Sequence, residues 1–273
     1  MAKRKGPKWE EILARFQAKI ESIPPELRLF VSEYMCYRAT QDQRKAWANR
    51  LLAATKEGGK VAWASVFSAV EREGLAKEFA PIAKALEHVE GTWQYRLEKI
   101  KDTSWFQEVI VPASRGYCGA NTACAILVHI GDPSRFATVG KLWKYCGLDV
   151  RGGHAPSLLR MKGEEAPYCT PLLTALYMLS ETWNRSSKRV PILDLNGEPV
   201  RDESGKALAQ YVRDDNCVWR DAWEQMKDQE RARRPGERPA FYHNKARRKL
   251  LRKFMSEVWK RWLQWQVEHE AAA

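Results

Sequence analysis

Residues 116–148 read GYCGANTACAILVHIGDPSRFATVGKLWKYCGL, and this stretch has the most regular local pattern in the chain. Its residues are mostly apolar up to Gly131, and the Asp132-Pro133 pair that follows predicts a turn of the chain. Glycine readily adopts the conformation that ends a helix, and an Asp-Pro pair favours the start of a new turn. We therefore predict a short buried helix over residues 121–130 that ends at Gly131.

The second half of this stretch predicts a second short helix. Thr138 is a suitable N-cap for the segment VGKLWKYC, and Gly147 ends that segment as Gly131 ends the first. Two short helices joined by a tight turn are the elements of a helix-hairpin-helix.

A glycine-containing turn precedes the first of these helices. Backbone amides at a helix N-terminus attract an anion, and in a helix-hairpin-helix such a turn holds one sugar–phosphate strand without reading bases. Gly119 would permit the tight turn; the alternative is a glycine turn that only packs two helices closely. The candidate DNA-binding residues here are Arg115, Gly116, Gly119, Ala120, Asn121 and Thr122.

Helical periodicity dominates the rest of the chain, so we predict a mainly α fold, a helical bundle with a small β-hairpin excursion. Pro81 is a predicted helix break, and Asn196-Gly197 is a hairpin signal. The predicted organisation is a helical N-terminal region (1–100), a helix-hairpin-helix module (101–189), an exposed hairpin or loop excursion (190–217) and a basic amphipathic C-terminal segment (218–273).

Positive charge is concentrated near the C-terminus. The net charge is +12, and residues 231–261 hold twelve Lys or Arg against two acidic residues. Placed on one helix, such charge provides a face that follows a phosphate backbone; the alternative is a face that is merely solvated. The predicted apolar face contains Ala246, Leu250, Leu251, Phe254, Val258 and Trp262, and the candidate DNA-binding residues are Arg247, Arg248, Lys249, Arg252 and Lys253.

The cysteines and the apolar runs exclude several classes of protein. None of the six cysteines forms a C-x-x-C pair or stands at ligand spacing from a histidine, so we predict neither a metal site nor a cofactor. No run is long and apolar enough to span a bilayer, and the basic N-terminus lacks the apolar segment of a signal peptide. We expect a cytoplasmic protein with reduced thiols and no membrane partner.

The string from Gly119 to Leu148 resembles the C-terminal module of insertion-sequence transposases whose N-terminal half carries a DEDD carboxylate set. Members of that family work with a guide RNA that bridges target and donor DNA. The family's pattern is roughly P-G-I-G-x-x-T-A, an apolar helix, I-G-D-x-x-R-F, a spacer and L-x-x-Y-x-G-L. The matching residues are Gly119, Thr122, Ala123, Ile130, Gly131, Asp132, Arg135, Phe136, Leu142, Tyr145, Gly147 and Leu148.

The resemblance covers about a third of the chain, since the later basic segment KARRKLLRKFMSEVWKRW also resembles the family's closing segment. It implies that DNA is the partner and that transposition or recombination is the process. The family's nuclease half is an RNase-H-like α/β fold whose acidic residues hold metal ions. Residues 1–100 contain neither such strands nor such a carboxylate set, so we expect a chain without that half.

The family also uses a serine nucleophile, in a Ser-Gly context shortly after L-x-x-Y-x-G-L. The only serine between Gly147 and Pro171 is Ser157, and His154 lies three residues before it. Ser157 is therefore the candidate catalytic residue, with His154 as its base. The alternative is that Ser157 caps a helix and that His154 lies in a solvated loop. The chain also departs from the family's P-G-I-G motif, because Tyr117 stands at the position of its first glycine.

Several tryptophans lie close to the basic segment. Indole rings can stack on unpaired bases, but at helical spacing they more often pack in a core. We predict packing for Trp259 and Trp262 and leave both possibilities open for Trp265. The other members of this group are Trp219 and Trp223.

Together these patterns predict a nucleic-acid-binding protein related to the C-terminal half of insertion-sequence transposases and not catalytic alone. DNA is the expected partner, and structured RNA, self-association and a separate nuclease subunit are retained as alternative partners. Two other functions stay open. One is an active serine-dependent recombinase that uses Ser157, and the other is a helical module whose basic face binds an acidic protein or RNA.

Overall fold

The computed structural model describes residues 17–54 other than 19, and residues 76–150, 166–192, 198–200, 209–213 and 216–270. Within these ranges the fold is mainly α-helical, which confirms the predicted class. The helices are α1 (Pro25–Ala54), α2 (Ala76–Glu98), α3 (Val111–Ser114), α4 (Ala120–Ile130), α5 (Val139–Tyr145), α6 (Thr170–Asn184), α7 (Val218–Arg233) and α8 (Pro239–Glu270). Short 3-10 turns cover Lys99–Asp102 and Pro133–Arg135, and a π-helical turn covers Phe106–Ile110.

Two short strands follow α6. Strand β1 (Ser187–Pro191) pairs antiparallel with β2 (Ala209–Arg213), and the register places Ser187 opposite Arg213. Residues 192–208 lie between them, so this pair is not closed by a two-residue turn. The predicted turn at Asn196-Gly197 lies outside the described residues.

The chain forms two compact units. The first unit comprises residues 1–107 and 119–132, and the second comprises residues 108–118 and 133–273. These boundaries cut through the predicted module of residues 101–189, because the first helix of the opening stretch belongs to one unit and the second helix to the other.

The first unit is built on α1, α2 and α4. Leu27, Leu97 and Ile126 are fully buried and supply one apolar residue from each helix. Burial of a side chain of this size contributes about 1.5–3 kcal/mol. An ion pair between Arg96 and the almost fully buried Glu33, at 2.6 Å, joins α2 to α1.

The expected break at Pro81 is wrong, because α2 continues through it from Ala76 to Glu98. A proline inside a helix removes one backbone hydrogen bond at a cost of about 3 kcal/mol. Helix α2 packs on α1, and a second ion pair joins Arg44 to Glu90 at 2.7 Å. Tertiary packing overrides the local preference here.

The two helices of the opening stretch are present with the predicted ends. Helix α4 ends at Gly131, which has φ = 71°. Helix α5 begins after Thr138, whose hydroxyl accepts a hydrogen bond from the Lys141 amide at 3.4 Å. It is followed by Gly147, which also has φ = 71°.

The second unit is organised around the long helix α8. All six residues of its predicted apolar face are fully buried, which confirms the amphipathic pattern. Helix α7 lies along α8, and α3, α5 and α6 also contact it. The basic residues of α8 lie outside this buried face, and they are half-buried or exposed.

Candidate nucleic-acid interface

A left-handed turn at Arg115-Gly116 follows α3. Arg115 has φ = 55° and Gly116 has φ = 80°, and both residues are exposed. The Gly116 amide donates to the Val111 carbonyl at 3.0 Å, and the Tyr117 amide donates to the Ser114 carbonyl at 3.1 Å. Arg115 is the only described residue other than glycine with a positive φ. Such a conformation is uncommon outside glycine, and it persists where the surroundings hold it.

Two buried indoles hold this turn in place. Trp219 Nε1 donates to the Ser114 carbonyl at 2.7 Å, and Trp183 Nε1 donates to the Tyr117 carbonyl at 2.9 Å. The two rings stack on each other with centroids 4.6 Å apart and planes 12° apart. The Ser114 and Tyr117 carbonyls, on either side of the turn, thus accept hydrogen bonds from the two buried indoles.

Gly116, rather than Gly119, has the left-handed conformation of this turn. Gly119 has φ = −81° and ψ = 163°, an ordinary extended conformation for the residue that precedes α4. A Cβ added there would meet nothing within 4 Å. The left-handed conformation that favours glycine lies three residues earlier, at Gly116.

The remaining candidates of that turn lie in the first unit with Gly119. Ala120 is buried, and Thr122 is half-buried. The Asn121 side-chain amide donates to the Tyr37 hydroxyl at 3.3 Å. That hydroxyl also accepts a hydrogen bond from Gln41 at 2.7 Å. Asn121 thus has a structural partner inside its own unit.

The Arg115-Gly116 turn forms one edge of a groove in the second unit, with a volume of about 810 Å³. The first two turns of α7 form another edge, and α8 contributes residues spaced four apart, which share one face of the helix. The lining residues are Val111, Pro112, Ala113, Arg115 and Gly116 from α3 and the turn, Val218, Trp219 and Ala222 from α7, and Lys253, Glu257 and Arg261 from α8.

Three cations and one carboxylate line this groove. Arg115, Lys253 and Arg261 form no ion pair with any residue in the described ranges, and the Arg261 Nε atom is buried without a hydrogen-bond partner. Glu257 lies 3.6 Å from Lys260. A concave surface with excess charge of one sign concentrates ions of the opposite sign, so this groove attracts anions.

The candidate Lys249 and its neighbour Lys245, both on α8, are held by a carboxylate of the second unit. Lys249 and Lys245 both pair with Glu230 of α7, whose side chain is 1% exposed. Burial raises the pKa of the Glu230 carboxyl, but hydrogen bonds from Lys245 and Lys249 outweigh this effect and lower that pKa to about 2. These two lysines stabilise the packing of α7 on α8.

Arg247 is also held inside the unit. It pairs with Glu181 of α6, and its guanidinium lies 5.2 Å from the ring centroid of Tyr177 and 5.5 Å from that of Trp223. His243 lies 2.8 Å from the same guanidinium group. A cation held between two rings and a carboxylate is not available to a phosphate.

Arg252 is held by other groups of the second unit, whereas Arg248 is not. Arg252 donates to the Leu148 carbonyl at 2.7 Å and lies over the Trp143 ring at 5.3 Å. Arg248 has no carboxylate or carbonyl partner within the described part of the chain. Of the five candidate cations of α8, Arg248 and Lys253 are therefore the two open to a ligand.

The tryptophans of this region pack rather than face solvent. Trp262 is fully buried, and Trp259 Nε1 donates to the Pro133 carbonyl at 3.1 Å, which confirms the packing predicted for both. Trp265, for which both possibilities were open, is 3% exposed. Trp219 and Trp223 are also buried. Stacking on a base is not open to these buried rings.

The predicted catalytic pair, Ser157 and His154, lies outside the described residues. Among the described residues, no group of three or more His, Cys, Asp or Glu side chains is placed to hold a metal ion. The same residues contain no helix that could cross a membrane.

Sequence reasoning missed Arg261 and Glu257 as site residues. Their signal was present, because Lys253, Glu257 and Arg261 follow one another at intervals of four on a helix. It was hidden by the other cations of α8, which are equally basic in sequence. Comparisons with protein-family models, with curated proteins and with solved structures find no match to this chain.

Proposed function

We propose that this chain binds nucleic acid, with DNA as its partner, through contacts to the phosphate backbone made by the basic groove of the second unit. The observation that carries the proposal is the convergence of Arg115, Lys253 and Arg261 on one groove, where Glu257 is the one carboxylate among the described lining residues and pairs with Lys260 instead. Phosphate contacts by Lys and Arg release condensed counterions and supply most of the affinity of sequence-independent binding.

The division of the cations supports this proposal. Arg247, Lys249 and Lys245 are neutralised by carboxylates of the same unit, so their charge serves the fold. Lys253 and Arg261 lie on the same helix and have no such partner in the described ranges. Charge left unpaired in a concave surface is the pattern of an anion-binding site.

The resemblance of residues 119–148 to the C-terminal module of insertion-sequence transposases supports DNA as the partner and transposition or recombination as the process. The groove adds a reason that does not depend on the resemblance. Its described lining residues include three cations that suit contacts to a phosphate backbone, so we propose binding without sequence preference.

The test is a titration of duplex DNA with the full chain, followed by fluorescence anisotropy over a series of salt concentrations. The double variant Lys253→Gln with Arg261→Gln removes two groove cations. The matched control is Arg185→Gln with Arg231→Gln, because these side chains are 80% and 53% exposed and do not line the groove.

We expect the groove variant to bind more weakly and to lower the slope of log K against log salt by about two, which is about one unit for each lost phosphate contact. The control variant should stay close to wild type. An equal loss in both variants would show that only net charge matters and would refute the groove as the site. Tighter binding of structured RNA than of DNA would favour the RNA alternative.

A further inference from the structure

The groove has an apolar floor that a phosphate does not require. Val218, at the first position of α7, is 46% exposed, and Pro112 and Ala222 are half-buried beside it. Exposed apolar surface inside a charged rim is typical of sites that hold a ligand with both an anionic and an apolar part. A phosphodiester backbone alone has no such part, whereas a nucleotide with an unpaired base does.

The carboxylate in the groove also supports a ligand with more than a phosphate. Glu257 lies between Lys253 and Arg261 in the sequence of α8, and it lines the groove with them. A carboxylate repels phosphate, so it weakens a site that only collects phosphates. It is useful where the ligand presents a hydrogen-bond donor, as the exposed edge of an unpaired base does.

The size of the groove is compatible with a nucleotide. Its volume of about 810 Å³ lies within the range of small-molecule sites, roughly 300–1,000 Å³. A nucleotide fits a space of this size, whereas a duplex presents its bases paired and stacked and can reach the groove only with its backbone.

We propose that the groove holds an unpaired nucleotide of single-stranded DNA, with its phosphates on Arg115, Lys253 and Arg261 and its base on the apolar floor around Val218. This inference rests on the proposed function and names the form of nucleic acid that the site prefers. The base contacts Val218 and Pro112 rather than stacking on an indole, because Trp219 is buried and stacked on Trp183.

The test compares a short oligo(dU) with the same oligomer in which the central residues are abasic. The two have the same phosphates and differ only in the bases. Wild-type chain should bind oligo(dU) about fivefold more tightly than the abasic oligomer, which corresponds to removing about 40 Å² of apolar surface from water.

Val218→Ser is the informative variant, because it removes apolar surface at an exposed position. It should bring the ratio of the two affinities close to one and leave binding of the abasic oligomer unchanged. Val267→Ser is the matched control, since Val267 is 67% exposed in the same unit and does not line the groove. Its affinity ratio should equal that of wild type.

Each outcome separates the inference from the proposed function. Equal affinity of wild type for both oligomers, with Lys253→Gln and Arg261→Gln still weakening both, would overturn the unpaired nucleotide and leave phosphate binding intact. Absence of binding to duplex, oligo(dU) and abasic DNA would overturn the proposed function itself. Tighter binding of oligo(U) than of oligo(dU), which differ only in the 2′-hydroxyl, would overturn the assignment to DNA.

Discussion

Replacing Glu230 by glutamine removes the carboxylate that holds Lys245 and Lys249 against α7 and keeps nearly the same side-chain volume. The pKa of this carboxyl falls from 4.5 to about 2 in the folded protein. One pKa unit corresponds to 1.36 kcal/mol, so the charged form contributes about 3 kcal/mol to the free energy of unfolding. We expect Glu230→Gln to lose roughly that amount at neutral pH, as measured by urea unfolding followed by tryptophan fluorescence.

The same prediction fixes the direction in which the stability contribution of Glu230 changes with pH. The folded-state pKa of Glu230 is depressed, so its contribution is fully present above pH 4.5 and is lost as the pH falls towards 2. The difference between wild type and Glu230→Gln should therefore shrink across that window. A difference that stays constant with pH, or a loss below about 1 kcal/mol at neutral pH, would show that the charge of Glu230 does not stabilise the fold.

Glu224→Gln is the matched control on the same helix. Glu224 is 44% exposed and pairs with Lys227 at 2.6 Å. Exposed pairs contribute little, so this variant should change stability by less than about 1 kcal/mol. A loss as large as that of Glu230→Gln would mean that negative charge on α7, rather than the buried position, is responsible.

Three further substitutions test the local structure by urea unfolding. Gly147→Ala should destabilise by more than about 1 kcal/mol, because φ is 71° and the new Cβ would lie 2.8 Å from a ring carbon, whereas Gly119→Ala should stay within about 0.5 kcal/mol. Trp219→Phe removes the indole donor from a buried carbonyl and should cost about 1–3 kcal/mol, with weaker DNA binding as a second readout. Thr138→Ala removes the side-chain cap of α5 and should cost about 1 kcal/mol, whereas Thr138→Ser should retain most of it.

The helices and their ends were predictable because their signals are local. Gly131 and Gly147 end helices at the residues expected, and Thr138 caps α5. Each of these assignments depends on residues within one turn of the position concerned. Pro81 shows the limit of local signals, because α2 continues through a residue that locally favours a break.

The candidate site was only partly predictable, because its composition depends on partners far away in sequence. The sequence around Arg247 and Lys249 does not indicate that these residues pair with Glu181 and Glu230. Lys253 looks the same in the sequence and lines the groove. The sequence therefore indicates a basic helix, while the fold decides which of its charges are available to a ligand.

The indoles that hold the Arg115-Gly116 turn have a consequence for the rate of binding. Ordering the backbone of a flexible residue costs about 1–2 kcal/mol, and here that cost falls on folding rather than on association. For the strand binding proposed above, a turn that is already ordered carries no ordering cost on association, so we expect the rate to be limited by diffusion and orientation. Slow amide hydrogen exchange at Gly116, whose amide donates to Val111, would be the signature of that preorganised state.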